Sequence, residues 1–123
     1  MIHLLAVALG GALGAMARYW LSGRLDHAGQ PIPINTLSIN VLGSFLMGVC
    51  FVLILEKGRL PPDLRPLLMV GFLGAFTTFS TFSLETVAML SEGNIMSALI
   101  YISSSVLLCI AALGAGLWLT RLF

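Results

Sequence analysis

Charge is what this chain has least of: six Lys or Arg and five Asp or Glu in 123 residues, 9% of the total, against 59% hydrophobic residues. A soluble domain of this length needs a charged surface over most of its outside, and so few ionic groups cannot supply one. The chain is therefore an integral membrane protein. Basic residues are scattered and the net charge is +1, which excludes the electrostatic footprint of a nucleic-acid binder. Cysteine is nearly missing too. Cys50 and Cys109 stand alone in apolar runs with no Cys-x-x-Cys or Cys/His grouping, and read as small buried hydrophobes rather than a disulfide or metal site. The two histidines, His3 and His27, fall at a span end and in a loop with no nucleophile or metal partner in reach, so no catalytic constellation exists. Rarest of all are acids at membrane depth. Only Glu85 falls inside an expected span, and proton-coupled transport normally needs an ionisable group at its binding site. A donor-rich, acid-poor interior favours an anion that moves passively.

What is present is apolar sequence in span-sized pieces. A transmembrane helix takes about 20 predominantly apolar residues, and four stretches qualify: Ile2 to about Leu21, about Asn35 to Leu55, about Leu67 to Leu90, and about Ile95 to Leu119. The breaker-rich "GRLDHAGQPIPI", "EKGRLPPDLRP" and "SEGN" separate them. Residues 1–123 thus read as one all-α domain of four transmembrane helices. Leu4 to Gly14 followed by Ala15-Met16-Ala17 has the outline of a signal peptide, but no Lys or Arg precedes it, and Gly10, Gly11 and Gly14 look like helix-packing positions. With four spans, Lys57, Arg59, Arg65 and Arg121 share one face, and Arg24 with Arg18 the other. So small a bias favours cytoplasmic termini only weakly and is compatible with insertion in both senses. A short G-x-L-G-A pattern recurs at Gly11–Ala15 and Gly71–Ala75.

Polar residues inside the spans fall into stripes. Ala6, Gly10, Gly14 and Arg18 recur every four residues, three small side chains leading to a guanidinium that either snorkels or attracts an anion at a vestibule. Thr36, Asn40 and Ser44 line one side of the second helix. Such a stripe is either interhelical glue, at under about 1 kcal/mol per contact, or a path on which a permeating species exchanges water for side-chain donors. Tyr101, Ser105 and Cys109 step by four in the fourth helix, as core packing or as a hydroxyl track. The third span holds the densest cluster, "GFLGAFTTFSTFS" from Gly71 to Ser83. On a helical wheel Phe79 and Phe82 fall together, with Thr77, Ser80 and Thr81 opposite. Five hydroxyls within Thr77–Ser83, behind Gly71 and Gly74, point to a helix broken near its middle, because free backbone groups at membrane depth must find partners.

"GGALGAMARY" (Gly10–Tyr19), "NTLSINVLGSFLMG" (Asn35–Gly48) and "GFLGAFTTFSTFS" together resemble the three signature segments of the small bacterial fluoride channels, the Fluc or CrcB family, in order and spacing across essentially the whole chain. The resemblance implies an antiparallel, dual-topology homodimer in the cell membrane that encloses two narrow fluoride pores around a central sodium ion. It assigns that ion to the backbone carbonyls of Gly74 and Thr77, and the pore phenylalanines to Phe79 and Phe82. The pore amide corresponds to Asn40, the hydroxyls to Ser80, Thr81 and Ser105 beside Tyr101, and the vestibule arginine to Arg18. Cys109 stands where some members carry a further hydroxyl. The resemblance suits an ion that is small and strongly hydrated, since amides, hydroxyls and the positive edges of phenyl rings replace lost water along a route. Two other classes are set against it. A small multidrug-resistance-type proton-coupled exporter needs a glutamate in the first span, where Ile2–Tyr19 has none, and a non-transporting assembly subunit would use its polar residues for packing alone.

Overall fold

The computed structural model covers Met1–Phe123 and contains helices and connecting turns only. Helix α1 spans Ile2–Leu25, and α2 spans Ile34–Phe51 with a π-helical continuation over Val52–Glu56. Helix α3 is π-helical over Pro66–Leu73 and closes with one α turn, Gly74–Phe76, followed by α4 (Phe79–Ser91) and α5 (Ile95–Leu122). Four continuous stretches, Ile2–Leu25, Ile34–Glu56, Pro66–Ser91 and Ile95–Leu122, are long and apolar enough to cross a membrane. Only 18 residues are buried, while leucines, isoleucines and phenylalanines cover the outside, the reverse of a soluble fold. The chain is a multi-pass membrane protein.

The turns follow from residues that cannot continue a helix. Asp26 turns extended after α1, Pro31 and Pro33 precede α2, and Gly93 takes φ +81° between α4 and α5, a left-handed conformation that favours glycine. Helix α1 runs past the expected end at Leu21 to Leu25, because Gly23 alone does not stop it and the Arg24 guanidinium lies 4.9 Å from the Trp20 ring centroid. Arg18 consequently sits about two turns inside the helix rather than at its end. The π-helical windings had no counterpart in the sequence reading, since a one-residue widening of the turn leaves no mark on side-chain type.

Two backbone seams hold the helices. A Cβ on Gly14 would lie 2.1 Å from Phe72 O, one on Gly10 2.1 Å from Leu67 O, and one on Gly71 2.7 Å from Val7 O, so α1 and α3 touch backbone to backbone. The two G-x-L-G-A segments are thereby opposite sides of one seam. Gly48 against Leu113 O and Gly116 against Phe45 O make the equivalent seam between α2 and α5. At the end of that seam Lys57 Nζ donates to Thr120 O (2.9 Å) and Arg121 O (3.1 Å), Arg59 donates to Phe123 O, and Arg121 pairs with Glu56. Cations of the second loop thus cap the carbonyl end of α5, and Lys57, Arg59 and Arg121, three of the four basic residues assigned to one membrane face, meet there.

Candidate ion pathway

The third membrane crossing breaks at Thr77–Thr78, both extended (φ −82°, ψ 156° and φ −149°, ψ 117°). Neither glycine makes the break. Gly74 is helical, and Gly71 belongs to the α1 seam. What holds it is Asn40 on α2, whose Nδ2 donates to Thr78 O (3.0 Å) while its Oδ1 accepts from Thr78 N (2.8 Å). One amide side chain satisfies both backbone groups of the extended residue, as a strand partner would.

The hydroxyls of Thr77–Ser83 then separate by task. Thr77 Oγ1 donates back to Leu73 O (2.9 Å), so Thr77 caps α3 and does not share the α4 face with Ser80 and Thr81 as a continuous wheel placed it. Thr78 is the N-cap of α4: its Oγ1 accepts from Thr81 N (3.2 Å) and donates to Thr81 Oγ1 (3.0 Å), with Ser80 Oγ at 3.3 Å. Ser83 bonds back to Phe79 O (2.9 Å). On the other edge, Phe79 and Phe82 have ring centroids 5.3 Å apart, and Phe82 lies 5.1 Å from Tyr101, so three rings form a row from the exposed Phe79 to the fully buried Tyr101.

Two cavities meet at the break. The larger, about 450 Å³, is walled by Asn40, Gly43, Ser44 and Met47 of α2 and by Ser105, Val106, Cys109, Ile110 and Leu113 of α5, with Thr77, Thr78, Phe79 and Phe82 closing one end. Ser105 is buried and its Oγ has no partner, whereas nearly all buried polar atoms in folded proteins have one. The smaller, about 240 Å³, is lined by Ala15, Arg18, Tyr19, Ser22, Thr36, Ile39, Thr78 and Thr81. Thr78 borders both, so a guanidinium with several hydroxyls lies on one side of the break and a ring-and-hydroxyl groove on the other.

A family model described as CrcB-like protein, Camphor Resistance (CrcB), matches residues 5–117. The chain belongs to the CrcB family. Among its relatives, the fluoride-specific ion channel FluC of Hahella chejuensis is 52% identical over 98% of this chain and 95% of that protein. The proteins of the same name from Saccharophagus degradans (51% identical; 95% of this chain, 88% of that one) and Magnetococcus marinus (52%; 94% and 95%) are similar over the same range.

One residue beside the break lay outside the expected site residues. Glu85 Oε1 accepts from Thr36 Oγ1 (2.7 Å) and Oε2 from Tyr101 OH (2.6 Å), tying α2, α4 and α5 together at one carboxylate. Thr36 and Tyr101 therefore direct their hydroxyls at Glu85 and not into open space. The signal was available: Glu85 follows Thr81 by four residues and Phe82 by three, which puts it on the α4 surface between the hydroxyl edge and the aromatic edge.

Proposed function

We propose that this protein is a fluoride-selective passive channel through which fluoride leaves the cell across the cell membrane. The observation that carries the reading is the groove beside the break, lined by the Asn40 amide, hydroxyls and two phenyl rings, in which the buried Ser105 hydroxyl has no partner. Fluoride that gives up water there meets neutral donors, which compensate its dehydration yet hold it weakly enough to let it leave. Arg18 and the hydroxyls of the smaller cavity raise the anion concentration at the mouth. The fluoride-channel names of relatives about half identical over nearly the whole chain support the same ion.

The finer reading is an antiparallel dual-topology homodimer with two pores and a central sodium ion. The carbonyls of Gly74 and Thr77 fit a cation. In a continuous helix Gly74 O would accept from Thr78 N and Thr77 O from Thr81 N, but those amides go to Asn40 Oδ1 and Thr78 Oγ1. Two acceptors are thus released at one break. Gly74 is exposed, and a Cβ there would meet only Met69 O at 3.7 Å, so nothing inside one chain requires glycine, as a close second subunit would. A bound cation would neutralise the carbonyls and raise the local potential for an anion.

Liposomes loaded with fluoride or chloride and carrying the purified protein test the function. Fluoride efflux without a proton gradient, with chloride retained, is the expected result; retention of both ions rejects the reading.

A further inference from the structure

Gly43 stands in the interior of α2, where only proline is a poorer helix former than glycine. The seam glycines each face backbone, but Gly43 faces side chains. A Cβ there would lie 2.2 Å from the Thr77 Cγ2 methyl and 3.2 Å from Phe76 Cδ1. That methyl cannot turn aside. Thr77 Oγ1 donates to Leu73 O (2.9 Å), which fixes the hydroxyl and with it the methyl on the same Cβ. Phe76 is buried and its ring stacks on Phe72 with centroids 5.8 Å apart, so the second neighbour has little room to give. Gly43 also follows Asn40 by three residues, so the two share one face of α2. Asn40 Oδ1 accepts from Thr78 N (2.8 Å), and the carbonyl of that same trans, planar peptide is Thr77 O, which therefore points away from Asn40. One peptide group thus has its N–H held by Asn40 while the side chain next to it rests on Gly43.

We infer that Gly43 is a positioning residue: the space left by its missing Cβ sets how close the break lies to α2, and through that the placement of the Thr77 carbonyl as a cation acceptor. A methyl group at this position drives Thr77 away from α2, lengthens the contact between Asn40 and Thr78 N, and displaces the carbonyl, although every hydrogen-bonding side chain is still present. The role rests on the reading of Gly74 and Thr77 as the cation's acceptors, and the test separates the two.

The experiment is a double-mutant cycle of G43A with T77S, which removes the methyl and keeps the hydroxyl. Melting temperature of the purified protein is followed against sodium chloride, with N-methyl-D-glucamine chloride holding ionic strength constant. G43A alone is expected to raise the sodium concentration for half-maximal stabilisation about tenfold or more, whereas the same change added to T77S should raise it less than about threefold. Fluoride efflux from proteoliposomes at fixed sodium should follow the same pattern, slowed about tenfold or more by G43A in the parent and less than about threefold by G43A in the T77S background. Should G43A not give monodisperse protein, its recovery in G43A/T77S supports the contact and its continued loss overturns it. An unchanged sodium midpoint and efflux in G43A, or a defect that T77S does not relieve, overturns the role. A parent whose melting temperature ignores sodium counts against the cation reading alone, and the efflux pattern then decides for or against Gly43.

Discussion

On one side of Thr77–Thr78, α3 lies against α1 with glycines facing carbonyls and no room for a methyl group; on the other, α4 is fixed by a threonine cap, a carboxylate and a row of rings. The first kind of contact is steric and all-or-none. The second is made of individual hydrogen bonds, each replaceable at a modest cost. Rigid framework and chemically active surface thus occupy the two halves of one membrane crossing, and Asn40 joins them at the break.

Substitutions should separate the halves. The largest effect is expected at the seam. Gly14→Val places carbon where Phe72 O already stands and should cost about 3 kcal/mol or more, the upper end for overpacking, read as loss of monodisperse protein and a fall in melting temperature. Next comes Asn40→Ala, which strands the Thr78 N–H and C=O at membrane depth for about 1–3 kcal/mol each. It should reduce fluoride flux more than tenfold, with Asn40→Asp similarly impaired because a carboxylate cannot donate to Thr78 O. Tyr101→Phe removes one hydrogen bond to Glu85 and should cost about 1.5–3 kcal/mol in thermal stability, while Thr36→Ser, which keeps its donor, should stay near the parent. The smallest effect belongs to Gly11→Ala. Nothing lies within 4 Å of its Cβ position, so this change should be neutral or add up to about 1 kcal/mol of helix stability. Were it as damaging as Gly10→Ala beside it, the seam would not be the cause.

Spans and polar stripes were legible because each depends on residue type at a fixed spacing. Four apolar stretches, the adjacency of Phe79 and Phe82, and the facing glycines of the seam all have that origin. The break was legible in place and not in cause: hydroxyl density over Thr77–Ser83 announced free backbone groups, and the turn falls at the start of that stretch, at Thr77–Thr78, held by Asn40 and not made by Gly71 or Gly74. Asn40, far away in sequence, chooses that place, and no local pattern encodes a partner on another helix. Glu85 was passed over for the same reason. Its two hydroxyl donors arrive from α2 and α5, and a lone acid near a span end does not reveal them.

The central claim is that fluoride moves passively along neutral donors and is not driven by protons. Currents through the purified protein in a planar bilayer, under a fluoride gradient with and without an imposed pH gradient, test it most directly. The account predicts a current that reverses at the fluoride equilibrium potential in both conditions. A reversal potential that shifts with the pH gradient, or flux without current, would contradict it.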